Sequence, residues 1–456
     1  MTMAEQNSNP ARHKAGQRQA KQDEKNATGV YYIPTTQRVS GAEGGREKAA
    51  STEERSSRSK VPALLALALI LVLGGVAWHL WSNRKVPVTI NGSSYQVKID
   101  STLKDAARDL SLKVRRGNLV SVKGDVLKRG GGYAFTATVN GKSLPGRQGE
   151  RYRVSQGDTI VLAKGKNIME PHTTSTTSVA PKLVMKGGFG PVAYVRNYGK
   201  AGSAKVLKGK RSKQTAEVVT KKATDAEIYL RTPVPEGGKQ LVALTFDDGP
   251  SDKYTQQYLD ILNKYHAKAT FFCLGKNVQQ YPELAKAIVK QGSQIANHTQ
   301  DHKQLTTLDA AEVQSELSSG FKAISSATGV ETTVFRPPYG DFRETTWVKS
   351  AGIASASITW TQDSKDWKLP GVDQIVSNAL LNVKSGDIIL MHDGGGNRDQ
   401  DVQALPKIIE ALQKNGYTLV TIDELMASDS TIPSSIQSGN AKMPEGTVWP
   451  TELGDA

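Results

Sequence analysis

Cysteine is almost absent from the 456 residues: Cys273 stands alone. That excludes an internal disulfide framework and a multi-cysteine zinc site. Lying in the apolar run Ala269–Leu274, it reads as a small buried hydrophobe. Apolar side chains are sparse too, at 38 %, which is low for one compact globule of this length and leaves part of the chain as linker or unordered tail. Acidic charge is thin in one stretch. Residues 82–238 carry 29 basic and 11 acidic side chains, a net +18, whereas residues 239–427 carry 18 and 22, a net −4. The C-terminal half, rich in alternating apolar segments, is thus slightly acidic, which argues against nucleic acid as its partner. The basic middle suits an anionic polymer or lipid surface, or is simply a solvated basic face.

What is present begins with polarity. Residues 1–60 are rich in Gln, Asn, Ser, Gly, Lys and Glu without apolar periodicity, and read as a disordered basic tail. Val61–Trp81 follows, with no Asp, Glu, Lys or Arg in its 21 residues. It is long enough to cross about 30 Å of hydrocarbon, and Trp78 and Trp81 fall where an interfacial aromatic belt belongs. A cleaved leader fits less well, because the preceding segment and the apolar stretch are both too long and no Ala-x-Ala site follows. Arg46, Lys48, Arg55, Arg58 and Lys60 precede the span, against Arg84, Lys85 and Lys98 after it. That bias predicts a single-pass anchor with a cytoplasmic N-terminus and an extracellular C-terminal part.

Residues 82–170 read as a small β-rich module. Pro87–Ile90 and Ser94–Ile99 alternate about Asn91-Gly92, a strong hairpin signal. A helix is predicted over Thr102–Leu112 with Ser101 or Thr102 as N-cap, and strands around Val120, Ala134–Val139 and Thr159–Ala163. The order of elements is similar to the β-grasp fold. Residues 171–237, rich in Gly, Lys and Thr, read as a spacer or small β-rich segment, and 428–456 as a disordered tail.

Residues 238–427 alternate apolar strands with amphipathic helices, the pattern of an α/β domain. Strands are expected at Leu241–Phe246, Ala269–Leu274, Gln294–Ala296, Thr333–Phe335, Ser355–Trp360, Asp387–Met391 and Thr418–Val420. Ionisable residues collect just after them: Asp247-Asp248-Gly249-Pro250, His298 to His302, Arg336 to Gly340, Asp363 to Trp367, and His392-Asp393. Strand C-termini are where α/β barrels carry their active sites. Singly, each motif has a plainer reading. Asp-Asp-Gly-Pro makes a turn, Arg336 can be an outward arginine on a rigid loop, and His392 can be a satisfied core histidine. His298 and His302, at i and i+4, have the spacing of paired metal ligands, but such a pair also arises incidentally. The combination shifts the balance, since three of the seven histidines fall at these strand ends.

Thr245-Phe-Asp-Asp-Gly-Pro250, His298-Thr-Gln-Asp-His302, Arg336-Pro-Pro-Tyr-Gly340, Asp363-Ser-Lys-Asp-Trp367 and Leu390-Met-His-Asp393 together resemble, in order, the five motifs of the polysaccharide deacetylases. This family is also called the NodB homology domain or carbohydrate esterase family four. The resemblance covers about 185 residues, no motif position departs from the active pattern, and it does not extend to residues 1–237. It implies a distorted (β/α) barrel and a divalent cation, usually zinc, with cobalt as a substitute, held by Asp248, His298 and His302. By the same resemblance Asp247 is the catalytic base, Arg336 its orienting partner, His392 the general acid and Asp366 the carboxylate behind it. The Tyr339 backbone N–H meets the oxyanion, and Trp367 and Leu390 line the acetyl pocket. With the exported topology, the expected substrate is a cell-wall polysaccharide, peptidoglycan N-acetylglucosamine. Chitooligosaccharide, O-acetylated xylan and a catalytically idle wall-binding role remain as alternatives. The basic stretch 82–238 then faces an anionic wall polymer or lipid.

Overall fold

The computed structural model describes residues 61–454. The tail expected over residues 1–60 lies outside the described residues. The chain divides after Trp78 into two units. A helix, Val61–Ser82, runs through that boundary. Its length of about 33 Å at 1.5 Å per residue and its composition suffice to cross a membrane. It has no polar stripe to turn toward water, and its side chains from Leu65 to Trp81 are exposed.

The second unit opens with a hairpin, Lys85–Ile90 against Ser93–Lys98. Asn91 and Gly92 take φ of 50° and 83°, the two left-handed positions that a two-residue turn between twisted strands needs. Thr102 caps the helix Leu103–Asp109 by accepting the Asp105 N–H, so the helix is shorter than its apolar pattern suggests. Five strands form one sheet in the order Ser93–Lys98, Lys85–Ile90, Thr159–Lys164, Phe135–Val139, Lys142–Leu144. The outermost strands in sequence, Lys85–Ile90 and Thr159–Lys164, lie parallel side by side at its centre. Val86, Val88 and Ile90 alternate inward onto Leu103, Ala106, Phe135 and Ile160.

Of the two readings of residues 171–237, a spacer or a small β-rich segment, the structure shows the second: the stretch is built of strands. His172–Val179, Gly202–Gly209 and Thr215–Lys221 form a three-stranded sheet. Glu170 ties it to the preceding module: its buried carboxylate accepts the N–H groups of Val122, Arg211 and Ser212. Leu183–Gly187, Ala226–Arg231 and Val192–Asn197 go elsewhere and join the catalytic sheet. Their short Val, Ile and Tyr runs, separated by Gly and Lys, resemble linker composition, but Val192, Tyr194, Val195 and Ile228 are buried.

Eight parallel strands follow the expected texture. Leu241–Asp247 is central, with Thr270–Cys273, Gln294–Asn297, Val334–Phe335 and Ala356–Ile358 stepping away on one side. Ile388–His392 and then Gln362–Asp363 lie on the other. Thr418–Val420 pairs with the start of the central strand. Their inner residues, among them Leu244, Phe246, Phe271 and Ile389, are fully buried with Tyr258, Ile288 and Leu405 from the surrounding helices. This is the barrel-like α/β arrangement, and its distortion has a definite form. Ala356–Ile358 does not pair with Gln362–Asp363 to close the ring. It pairs outward, antiparallel, with Val192–Asn197, and the sheet runs on to eleven strands.

The tail from residue 428, expected as disordered, is also packed. Ile432 and Ile436 enter the core beside Val192 and Ile358. Trp449 Nε1 donates to the Trp347 carbonyl at 3.1 Å, and Leu453 bridges Leu183 at the far edge of the sheet. Four apolar residues spread over a polar segment escape any periodicity test, yet each covers an apolar face.

Candidate active site

The parallel register sets the site's frame. Asp247 ends the central strand opposite His392 on the neighbouring strand, so both side chains leave the sheet at one level, a strand spacing of about 4.8 Å apart. Between the flanks they define opens a pocket of about 450 Å³ lined by Asp247, Asp248, His298, His302, Tyr339, Trp360, Asp363, Trp367, Leu390 and His392. All the residues singled out by motif except Arg336 and Asp366 line it, and those two stand directly behind Asp247 and His392.

On one flank Arg336, fully buried, is spent entirely on fixing Asp247 and its surroundings. Its Nη1 donates to Asp247 Oδ1 at 2.7 Å and to Thr245 Oγ1 at 2.8 Å. Nε and Nη2 donate to the carbonyls of Ile358 and Thr359. The guanidinium lies over the Phe272 ring, 4.2 Å from its centroid. Burial lowers the Arg336 pKa and Asp247 opposes that shift, so the cation and the carboxylate sustain each other.

Beside Asp247 the chain turns sharply, and Asp248 adopts φ 70°. His298 follows the strand Gln294–Asn297, and its Nδ1 lies 2.8 Å from the Arg336 carbonyl. A carbonyl can only accept, so Nδ1 carries the hydrogen, and in the neutral ring Nε2 presents its lone pair. That Nε2 is 3.5 Å from Asp248 Oδ1, and His302 Nε2 is 3.4 Å from the same oxygen. One atom from each of Asp248, His298 and His302 lies within 4.8 Å of the others. Asp248 Oδ1 is buried and receives no hydrogen bond, which is costly for a carboxylate unless a cation meets it. Burial, then His298, lowers the His302 pKa, favouring the neutral imidazole that a metal requires. The donor set therefore fits a divalent ion: two neutral nitrogens, one orphaned carboxylate oxygen and one side left open. The two histidines are not on a helix. Thr299 and His302 take φ of 71° and 67°, and this loop brings both rings to one side. Tyr339 is left-handed as well, at φ 61°, with its ring 4.8 Å from that of His302. Four non-glycine residues in this sparsely populated region, gathered around one pocket, are strain of the kind functional sites retain.

The opposite flank is built on Asp366, which is fully buried. Its Oδ1 lies 2.8 Å from His392 Nδ1 and also accepts the Trp367 N–H. Its Oδ2 accepts the His392 N–H at 2.7 Å. The Tyr258 hydroxyl donates to the His392 carbonyl at 2.8 Å. Burial alone would lower the His392 pKa, but Asp366 outweighs it and the ring rises to about 9. With Nδ1 engaged, Nε2 is left for the pocket.

Sequence reasoning did not single out Thr245, Trp360 or Arg398. Thr245 accepts from Arg336 while donating to Ile389. Trp360 and Arg398 line the pocket. Trp360 and Thr245 sit at strand ends, which was a usable signal. Arg398 falls within Asn397–Pro406, a segment that also resembles the family, but the resemblance there assigned it no role.

A model of the polysaccharide deacetylase family matches residues 235–356. The chain is 42 % identical over 200 residues to a peptidoglycan-N-acetylglucosamine deacetylase of Bacillus cereus, covering 43 % of this chain and 93 % of that protein. It is 38 % identical over 200 residues to a chitooligosaccharide deacetylase of Bradyrhizobium, covering 41 % of this chain and 91 % of that one. With the peptidoglycan-N-acetylglucosamine deacetylase PgdA of Listeria monocytogenes it shares 38 % identity over 184 residues, covering 40 % of this chain and 38 % of PgdA.

Proposed function

Because this chain belongs to the polysaccharide deacetylase family, we propose that it hydrolyses the N-acetyl groups of peptidoglycan N-acetylglucosamine, at a site that takes a divalent cation on Asp248, His298 and His302. The observation that carries this reading is the two-sided pocket. A carboxylate aimed by a buried arginine faces a histidine held protonated by a buried aspartate, with the Asp-His-His set beside them.

The reaction is difficult because an acetamide carbonyl is weakly electrophilic and an amine leaves poorly. Asp248, His298 and His302 would hold a divalent cation, which would supply Lewis acidity toward the acetyl carbonyl and the attacking water. Asp247 takes the proton of the attacking water as the water oxygen bonds to the carbonyl carbon. Arg336 keeps Asp247 aimed, and the Tyr339 N–H stabilises the oxyanion. The C–N bond can then break only as the nitrogen gains a proton. His392, protonated below about pH 9, delivers it from Nε2, and Asp366 holds the ring's tautomer and orientation. Acetate and a free amine result. Trp367 and Leu390 border the space for the acetyl methyl group. Zinc suits the nitrogen-rich donor set, and cobalt substitutes for it.

The same proposal extends to the rest of the chain. Val61–Trp81 anchors the protein in the membrane with residues 1–60 in the cytoplasm, supported by the charge bias across the span. The five-stranded module is read as β-grasp, supported by its strand order and central parallel pair. The basic residues of 82–238 face an anionic wall polymer or lipid. Acetate and free-amine release by the full chain from purified peptidoglycan, chitooligosaccharide and acetylxylan tests the substrate. The greatest kcat/KM is expected on peptidoglycan. A clear preference for chitooligosaccharide, the substrate named for the Bradyrhizobium relative, would replace it.

A further inference from the structure

We propose that Asp401 is a positioning residue for His392, carrying a proton that it donates in a hydrogen bond to Asp366. The inference rests on the reading of His392 as the proton donor. Asp401 lies in the first turn of the helix Asp399–Lys414 and is fully buried. Neither of its carboxyl oxygens receives a hydrogen bond. It lies within hydrogen-bonding reach of Asp366. Asp366, by contrast, already accepts from His392 Nδ1, the His392 N–H and the Trp367 N–H.

Two carboxyl groups meeting at this depth cannot both be ionised, so they hold one proton between them. The donors decide where it rests. Three of them favour Asp366 as the anion, whereas Asp401 receives no hydrogen bond from another side chain, so the proton belongs to Asp401. Burial and then Asp366 push Asp401 up to about 8. Asp366 stays below the usual carboxylate value despite its burial, chiefly because of His392. The other charged or titratable groups around the pair are Asp393, Tyr258 and Arg398. Arg398 is the cation among them, and it donates to the Gly394 and Gly395 carbonyls rather than to either carboxylate. It therefore leaves the Asp366–Asp401 contact without a donor other than the shared proton. A neutral donor at Asp401 fixes the Asp366 carboxylate from behind, so that Oδ1 stays on the imidazole and Nε2 stays aimed into the pocket.

The experiment compares full-length wild type with Asp401→Asn and Asp401→Leu. Asparagine keeps a neutral donor of the same size, whereas leucine removes it. Asp401→Leu should lower kcat by about tenfold, with KM little changed and the alkaline limb of the pH profile displaced. Asp401→Asn should restore most of that loss. Infrared difference spectra between neutral and alkaline pH should show a protonated-carboxyl band that is missing from Asp401→Asn. An asparagine variant as impaired as the leucine one would overturn the proposal, because Asp401 would then act as an anion. So would a leucine variant with the wild-type kcat and pH profile, or an unchanged carboxyl band in the asparagine variant. The infrared measurement needs no turnover. Should Asp401→Leu fail to fold, it still decides where the proton is. Should wild type deacetylate no glycan, the functional reading fails separately.

Discussion

His302 and His392 face the same pocket from opposite sides, and their surroundings drive their protons in opposite directions. His302 is half-buried beside a second imidazole and falls below its ordinary value. His392 is half-buried too, but the buried Asp366 carboxylate stands 2.8 Å behind it, and it rises to about 9. One residue type is thus suited to ligate a metal on one flank and to donate a proton on the other, set by what lies behind the ring. Asp247 and Asp366 divide in the same way: one is held by a guanidinium, the other by an imidazole.

The hardest way to break this comparison is to empty the ligand flank. A chelator should abolish acetate release, and added zinc or cobalt should restore it. Activity that survives chelation would remove the Asp248–His298–His302 set from the chemistry. Next in size is Asp247→Asn, which should lower kcat by about 10²–10⁴-fold while calorimetry still registers one bound metal. A variant with near wild-type turnover would dismiss Asp247 as the base. Asp366→Asn tests the other flank, with a loss of about 10–100-fold in kcat expected. In metal-free protein, NMR should place His392 near 9, falling toward its ordinary value of about 6.5 in the variant. The linked stability follows the sign of a raised histidine. The wild type holds the contribution of this pair in full below about pH 6.5 and loses it as pH rises through about 9. The denaturation midpoint of Asp366→Asn should be flatter across that window. A His392 value unmoved by the substitution would break the argument. The smallest effect is expected from Trp367→Ala, at the half-exposed rim: about a threefold rise in KM with kcat kept. A collapse of kcat instead would mean that the Trp367 indole itself shapes the acid flank, since the backbone N–H that Asp366 accepts is kept in the variant.

Much of the site was legible because its residues follow strands closely. Once Leu241–Asp247 or Ile388–His392 is seen as a strand, Asp247 and His392 fall at its end without further information. Strand bounds in the catalytic region moved by only a residue or two for the same reason. Residues that act from a distance were not legible. Arg398 and Asp401 sit on a helix more than 140 residues from Asp247 in sequence, and only the packing of that helix against the sheet brings them in. That the strands at 183–231 join the catalytic sheet, and that the tail packs, was not legible for a different reason. They supply single buried residues, Val195, Ile228, Ile436 and Trp449, to a surface made by other elements. Local composition reports what a segment does alone, and these segments do nothing alone.

The antiparallel pairing of Val192–Asn197 with Ala356–Ile358 bears on how such a protein can be taken apart. Cutting the chain at residue 238, where the family motifs begin, would strip the partner from a strand whose C-terminal carbonyls, at Ile358 and Thr359, anchor Arg336. The raw edge so created would invite strand addition from another molecule, and the guanidinium would lose part of its seat. A self-sufficient catalytic fragment must therefore start before Leu183 and retain Trp449 and Leu453, making the region ahead of the motifs a structural component of the catalyst.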